Sequence, residues 1–133
     1  MAWIVTPSEE VLRLLAEVIN DYLGLESIGL DWTRRSLARM SIGQPALVVV
    51  DAQEAPVAVR NELVRRLGQH RLRATPIVVC GTGIAALGTP WDDLLAGSNV
   101  GVVHRPFAAR ALVDEVLRLR GHITSAPDEV ATG

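Results

Sequence analysis

Four short apolar runs, each rich in β-branched residues, occur at residues 2–5, 46–50, 77–80 and 100–103. None of them alternates apolar with polar positions, and continuous apolar runs of this length are typical of strands that are covered on both faces. A weaker run over residues 25–30 is a candidate for one more strand. The pattern therefore predicts a parallel sheet with helices on both sides.

Segments of helical periodicity lie between these runs. The first follows Ser8, a suitable N-cap, and ends before Gly24, a suitable stop signal. Its apolar positions recur at the spacing of one helix face, which predicts a buried side. They are Val11, Leu14, Leu15, Val18, Ile19 and Tyr22. Further helices are predicted over residues 32–40, 57–67, 91–95 and 107–119. Strand and helix thus alternate about five times, an order that calls for right-handed crossovers and an α/β fold.

The length of 133 residues is that of one folded unit. We expect a single domain over residues 1–120. The remaining segment, residues 121–133, has no apolar period and is predicted to be a flexible C-terminal tail or a linker.

Composition argues against several classes of protein. The formal net charge is −2 and the 13 basic residues, all arginines, are spread along the chain, so binding to nucleic acid or to an acidic membrane is not expected. The chain has neither the ~20 apolar residues that cross a bilayer nor a signal-peptide pattern, which favours a cytoplasmic protein. Cys80 stands alone among apolar neighbours, as a buried thiol in a reducing compartment does. The three histidines lack partners at metal-ligand spacing, so no metal site is expected.

Small or polar residues follow each predicted strand, and ligands of parallel sheets gather at the carboxyl ends of the strands. The residues at these ends are Thr6 and Pro7, Asp51, Gly81 and Thr82, and His104 and Arg105. The motifs around them resemble those of bacterial response-regulator receiver domains. PALVVVD is similar to the strand-three motif with Asp51 in the phosphoacceptor place, and TPIVVCGT is similar to strand four. HRPF is similar to the strand-five motif, with Arg105 in place of the lysine before Pro106.

This resemblance, which extends over residues 2–120, implies a doubly wound, flavodoxin-like sheet of five parallel strands in the order 2-1-3-4-5. It also implies a pocket around Asp51. The positions of that pocket are Thr6, Pro7, Gly81, Thr82, Arg105 and Pro106.

The departures from the family pattern indicate a degenerate receiver, or pseudo-receiver. Receivers have two acids after strand one, and here Thr6 and Pro7 occupy their places. Since Mg²⁺ prefers carboxylate oxygens, Asp51 alone is a poor magnesium site. The planar guanidinium of Arg105 favours a lasting pair with a carboxylate. We therefore expect Asp51 and Arg105 to lie within reach of each other.

Three functions follow as hypotheses, and none of them is an enzyme. The first is a signalling or regulatory module for protein interaction or dimerisation that takes no phosphate and needs no cofactor. The family implies helix 4, strand 5 and helix 5 as its contact face. The charged residues there are Arg110, Asp114, Glu115 and Arg118.

The second hypothesis is a working two-component response regulator, phosphorylated on Asp51 by a histidine kinase with Mg²⁺. The third is a nucleotide or small-molecule sensor that uses the glycine-rich loop Gly81–Gly83 after strand four. A purely structural Asp51, acting as a cap or turn former, stays open beside them.

Overall fold

The strands of the computed structural model are β1 (Ala2–Val5), β2 (Ser27–Leu30), β3 (Leu47–Asp51), β4 (Ile77–Gly81) and β5 (Val100–His104). The helices are α1 (Glu9–Leu23), α2 (Arg34–Arg39), α3 (Val57–Leu67), α4 (Thr89–Leu95) and α5 (Ala109–Thr132). The structure describes residues 1–31, 33–39, 43–52, 57–69, 72–82, 88–105 and 108–132. All neighbouring strands are parallel, in the order β2-β1-β3-β4-β5. The predicted doubly wound α/β fold and its strand order are therefore confirmed.

The sheet is covered on both faces, as its continuous apolar strands predict. Every residue of β1, β3 and β4 is buried. Because successive side chains of a strand point to opposite faces, each of these strands contributes to two cores. One core lies against α3 and α4 and includes Val48, Val50, Leu63, Leu67 and Trp91. The other lies against α1 and α5 and includes Leu15, Ile19, Val49, Val78 and Leu112.

The two ends of α1 are defined by the cap residues that the sequence predicts. The Ser8 hydroxyl accepts a hydrogen bond from the Val11 N–H at 3.2 Å. At the other end Gly24 adopts a left-handed conformation with φ of 66°, and its N–H donates to the Asn20 carbonyl at 3.0 Å. Both predicted ends are confirmed.

The buried face of α1 is narrower than predicted. Leu15 and Ile19 are buried, whereas Leu14 and Tyr22, which are predicted on the same face, are exposed. Successive residues of a helix are about 100° apart around its axis. Leu15 and Ile19 therefore face the sheet, whereas Leu14 lies to one side of them. The spacing of apolar residues predicts their common face, but it does not predict which of them the sheet will cover.

The ends of two other helices differ from the prediction. α5 continues to Thr132, so its helical backbone includes most of residues 121–133, for which the sequence predicts a linker or flexible tail. The domain boundary itself stays a prediction. The predicted start of this helix, Phe107, lies outside the described residues. α2 begins at Arg34, later than the predicted residue 32, and its predicted end at residue 40 lies outside the described residues. Within the described ranges, none of the helices has the length and apolar composition that a bilayer span requires.

Candidate functional site

The parallel register of β1, β3, β4 and β5 brings their carboxyl ends to one edge of the sheet. Thr6 directly follows β1, Asp51 is the last residue of β3, and Arg105 directly follows β5. The N–H of Arg105 donates to the carbonyl of Gly81 at 3.0 Å, which holds the start of the β5–α5 connection beside β4. Three side chains that are distant in the sequence therefore meet at this edge.

Asp51 is a buried carboxylate with a partner on each oxygen. The Thr6 hydroxyl donates to Oδ2 of Asp51 at 2.9 Å. Nη2 of Arg105 lies 3.3 Å from Oδ1, so the predicted pair between Asp51 and Arg105 is confirmed. Burying a carboxylate is costly unless it is paired and hydrogen-bonded. The two partners therefore explain how a charge can occupy this position.

Thr6 makes three hydrogen bonds at this edge of the sheet. Besides donating to Asp51, its hydroxyl accepts a hydrogen bond from the Ser8 N–H at 3.2 Å. Its own N–H donates to the Leu30 carbonyl at 3.0 Å. One buried residue thus connects β2, the first turn before α1 and the Asp51 carboxylate. The Thr-Pro-Ser sequence is a signal for the local turn, but nothing local indicates the contact with Asp51.

The environment of Cys80 shows the electrostatics of the site. The pKa of the Cys80 thiol is raised to about 12, chiefly by burial and also by the negative charge of Asp51, while the guanidinium of Arg105 acts in the opposite direction. The thiol is therefore neutral at physiological pH. Because the thiolate is the reactive form of cysteine, Cys80 is not a nucleophile under these conditions.

The remaining predicted pocket positions fall into two groups. Pro7 and Thr82 are exposed at the same edge of the sheet, and Gly81 is buried at the end of β4. Pro106 and Gly83 lie outside the described residues. The glycine-rich loop of the sensor hypothesis is thus described only as far as its first two residues.

The four predicted contact residues of α5 pair with one another. Nε of Arg110 lies 3.0 Å from Oδ1 of Asp114, and both side chains are well exposed. Arg118 pairs with Glu115, whose side chain lies over Gly101 of the edge strand β5. A Cβ at position 101 would overlap the Glu115 carboxylate. These residues lie on the helix that the resemblance implies, apart from the Asp51 site.

A polar cleft of about 390 Å³ lies beside Thr6, and the sequence patterns do not predict it. It lies between the start of α1, the end of β2, and α2. Its lining is Thr6, Pro7, Ser8, Glu9, Leu12, Gly29, Leu30, Asp31, Ser36 and Arg39. Asp31 accepts hydrogen bonds from the hydroxyls of Thr33 at 2.6 Å and Ser36 at 2.7 Å, which lower the pKa of its carboxyl. Thr33 directly precedes α2, and its hydroxyl accepts a hydrogen bond from the Ser36 N–H at 3.2 Å, which is the arrangement of an N-cap.

The sequence matches no family model, and a search of curated proteins also finds no match. Solved structures do match. The chemotaxis response regulator CheY4 of Vibrio cholerae is 19% identical with a TM-score of 0.69, over 89% of this chain and 96% of that one. A response regulator receiver modulated diguanylate cyclase from Pelobacter carbinolicus is 13% identical with a TM-score of 0.66, over 96% and 97%.

The signal receiver domain of a signal transduction histidine kinase from Syntrophus aciditrophicus is 20% identical, with a TM-score of 0.63 over 90% of this chain and 89% of that one. At these identities the likeness concerns the fold. The chain has the CheY-like fold of response-regulator receiver domains.

The residues at the site do not fit a magnesium ion. Phosphoryl transfer to a carboxylate uses Mg²⁺ held by hard oxygen ligands, chiefly carboxylates. Here Thr6 donates to one oxygen of Asp51 and Arg105 pairs with the other. In the described part of the chain, no three His, Cys, Asp or Glu side chains are grouped closely enough to hold a metal. The described partners of the Asp51 carboxylate are thus a hydroxyl and a guanidinium.

Proposed function

We propose that this chain is a regulatory protein-interaction module with the receiver fold, in which Asp51 is held by an ion pair and takes no phosphate. The observation that carries the proposal is that Thr6 and Arg105 engage both carboxylate oxygens of Asp51. A phosphoacceptor needs a free oxygen to attack phosphorus and a cation to neutralise the phosphoryl oxygens. A carboxylate engaged on both oxygens, which belongs to no metal-binding group of three His, Cys, Asp or Glu side chains among the described residues, is poorly suited to either.

The position of the ion pair supports an interaction surface that does not depend on phosphorylation. Arg105 stands where β5 leads into α5, so its contact with Asp51 restrains that connection relative to the sheet. A surface that includes α5 then keeps one arrangement whether or not a phosphodonor is present. Because the similar solved structures include a response regulator and a kinase receiver domain, we place the module in two-component signalling with a protein partner. The face of α4, β5 and α5, with its charged residues on α5, is part of this proposal.

A phosphate-analogue titration tests the proposal. Beryllofluoride with Mg²⁺, added to the ¹⁵N-labelled chain, should leave the amide signals of Asp51, Gly81 and Thr82 unchanged. Sedimentation with and without acetyl phosphate and Mg²⁺ should give the same result for the wild type and for Asp51→Asn. Shifts at these three amides that Asp51→Asn abolishes would overturn the proposal and establish a working receiver phosphorylated on Asp51.

A variant with the acids restored serves as the positive control. Thr6→Asp, Pro7→Asp and Arg105→Lys together supply the acidic pair and the lysine that the resemblance implies. Once circular dichroism shows that it is folded, this variant should respond to beryllofluoride only when Mg²⁺ is present. Thermal stabilisation of the wild type by a nucleotide panel would instead favour the sensor hypothesis.

A further inference from the structure

An apolar cavity of about 330 Å³ lies between the sheet and the end of α2, on the face of the sheet that α3 and α4 cover. Its walls are formed mainly by Met1, Trp3, Ile28 and Leu30. Arg39, the last residue of α2, also lines the cavity, and its side chain is exposed. No acid is among the described residues of this lining. The cavity therefore suits an apolar group with a negative charge beside it.

The Trp3 ring is a wall of this cavity and not an open surface. Trp3 is 5% exposed, and a Cβ on Gly43 would overlap its ring, so the backbone of the connection between α2 and β3 covers part of the indole. Stacking of a nucleic-acid base needs an exposed aromatic face. The cavity is therefore better suited to a large apolar side chain that inserts beside the indole, as the buried anchors of protein interfaces do.

The arginines of α2 are not explained by the stability of this helix. Arg35 and Arg39 lie one turn apart on the same face, and both are exposed. Like charges at this spacing repel each other, and an arginine in the first turn, as Arg35 is, opposes the helix dipole. α2 carries no acid, and neither arginine forms a salt bridge with another described residue. An acidic partner would relieve this repulsion.

The connection between α3 and β4 adds a third arginine beside the cavity. The Thr75 hydroxyl donates to the Pro45 carbonyl at 3.4 Å and accepts a hydrogen bond from the Gln44 amide at 3.4 Å. Because Gln44 and Pro45 both line the cavity, these bonds hold the connection against the cavity wall. Arg73, two residues before Thr75, is exposed and forms no salt bridge with another described residue.

The fold gathers arginines that are dispersed in the sequence. α2 and α3 contact each other, and each carries three arginines, with one acid between them. That acid, Glu62, is shared by Arg65 and Arg66 in the last turn of α3. α1 has the opposite balance, with four acids and one arginine. A chain with a formal net charge of −2 thus has a positive side, and the cavity lies on it.

We propose that an acidic segment of a partner protein docks on the α2 site, which we define as the cavity together with Arg35, Arg39 and Arg73. One large apolar side chain of the segment occupies the cavity, and its carboxylates pair with the guanidiniums, whose planar forks match a carboxylate. This rests on the proposed function, a protein-interaction module, and gives the chemistry of its partner. The α2 site is distinct from the face of α4, β5 and α5 and from the pocket around Asp51.

Selection of a displayed random-peptide library on the immobilised full chain tests the proposal. The selected peptides should contain a large apolar residue with acids on either side. Fluorescence anisotropy of one selected peptide then gives its dissociation constant. Replacing the apolar residue of that peptide with serine should raise this constant at least tenfold. Raising the salt from about 0.05 M to about 0.5 M should also raise it, because the paired charges are screened.

Arg39→Gln is the variant that tests the α2 site, because Arg39 lines the cavity itself. It should raise the dissociation constant of the selected peptide at least fivefold. Arg13→Gln removes an exposed arginine of α1 and is the matched control, which should leave that constant unchanged. Both side chains are exposed, so both variants should keep the urea unfolding curve of the wild type.

A library that enriches no acidic peptide would overturn the proposal, and so would a dissociation constant that Arg39→Gln and Arg13→Gln raise equally. Tighter binding of a single-stranded oligothymidylate than of the selected peptide, lost in Arg39→Gln, would assign the site to nucleic acid instead. Acetyl phosphate with Mg²⁺ separates this inference from the proposed function. Peptide binding that needs both Arg39 and the phosphodonor would overturn the unphosphorylated module and leave the α2 site standing.

Discussion

Arg105 reaches past β4 to pair with Asp51, with Nη2 at 3.3 Å from Oδ1 across a sheet in which β4 lies between β3 and β5. The two partners differ in solvent access, because the Asp51 side chain is 5% exposed and that of Arg105 is 30% exposed. A buried anion therefore depends on a partly hydrated cation. This asymmetry leads to the first prediction.

We expect removal of the cation to destabilise the fold more than removal of the anion. Arg105→Gln leaves a buried charge without its pair and should lower the free energy of unfolding by about 2–3 kcal/mol. Asp51→Asn leaves a partly exposed arginine that water can hydrate, and should cost about 1 kcal/mol. Urea unfolding measures both. Arg110→Gln removes an exposed pair with Asp114 and is the control, which should change the free energy of unfolding by less than about 0.5 kcal/mol. A larger loss from Asp51→Asn than from Arg105→Gln would contradict this prediction.

The Thr6 hydroxyl should contribute more to the free energy of unfolding than the Thr6 methyl group. Thr6→Val removes the donor to Asp51 and the acceptor for the Ser8 N–H, and should lower the free energy of unfolding by about 1–2 kcal/mol. Thr6→Ser keeps the hydroxyl and is the control. Equal losses in the two variants would show that the methyl packing, and not the hydrogen bonds, is what stabilises this edge.

Stability should fall in alkali because of Cys80. The pKa of the buried thiol is raised to about 12 from its ordinary 9.0, so above pH 9.0 the unfolded chain releases a proton that the folded chain retains. Ionisation then favours the unfolded state, and stability declines as the pH rises through this window. The slope should approach about 1.4 kcal/mol per pH unit.

Cys80→Ala is the matched variant for this measurement. Other groups titrate equally in both proteins, so the difference between the two unfolding curves isolates the thiol. The difference should shrink between pH 9.0 and about 12 as the wild type loses its advantage. A constant difference across that range would mean that the thiol is not protected from ionisation.

Two glycine substitutions should have opposite effects. A Cβ on Gly43 would overlap the rigid ring of Trp3, so Gly43→Ala should lower the free energy of unfolding by about 1–3 kcal/mol. A Cβ on Gly121 in α5 would meet nothing within 4 Å, so Gly121→Ala should raise it by about 0.5–1 kcal/mol. No gain at Gly121 would favour a flexible tail from that residue onward.

The pair of Asp51 and Arg105 could be predicted from the sequence because the sheet type, together with the strand order that the receiver resemblance implies, brings the two residues to one edge. Apolar runs without alternation indicate a parallel sheet, and the carboxyl ends of parallel strands share an edge. β3 and β5 are two places apart in this sheet, and the long side chain of Arg105 spans the distance across β4. The caps Ser8 and Gly24 were equally accessible, since a cap acts on residues three or four positions away.

The sequence patterns by themselves therefore determined the elements and the edge where the polar side chains meet, and the resemblance of the motifs to receiver domains implied the order of the strands. The tertiary structure alone decided that the Thr6 hydroxyl bonds to Asp51, 45 residues away, and that Leu14, Tyr22 and Leu117 are left exposed. The physical reason is the range of each signal. Periodicity and cap residues indicate the position of a side chain within its own helix or strand. Its tertiary contacts depend instead on which distant element packs against it.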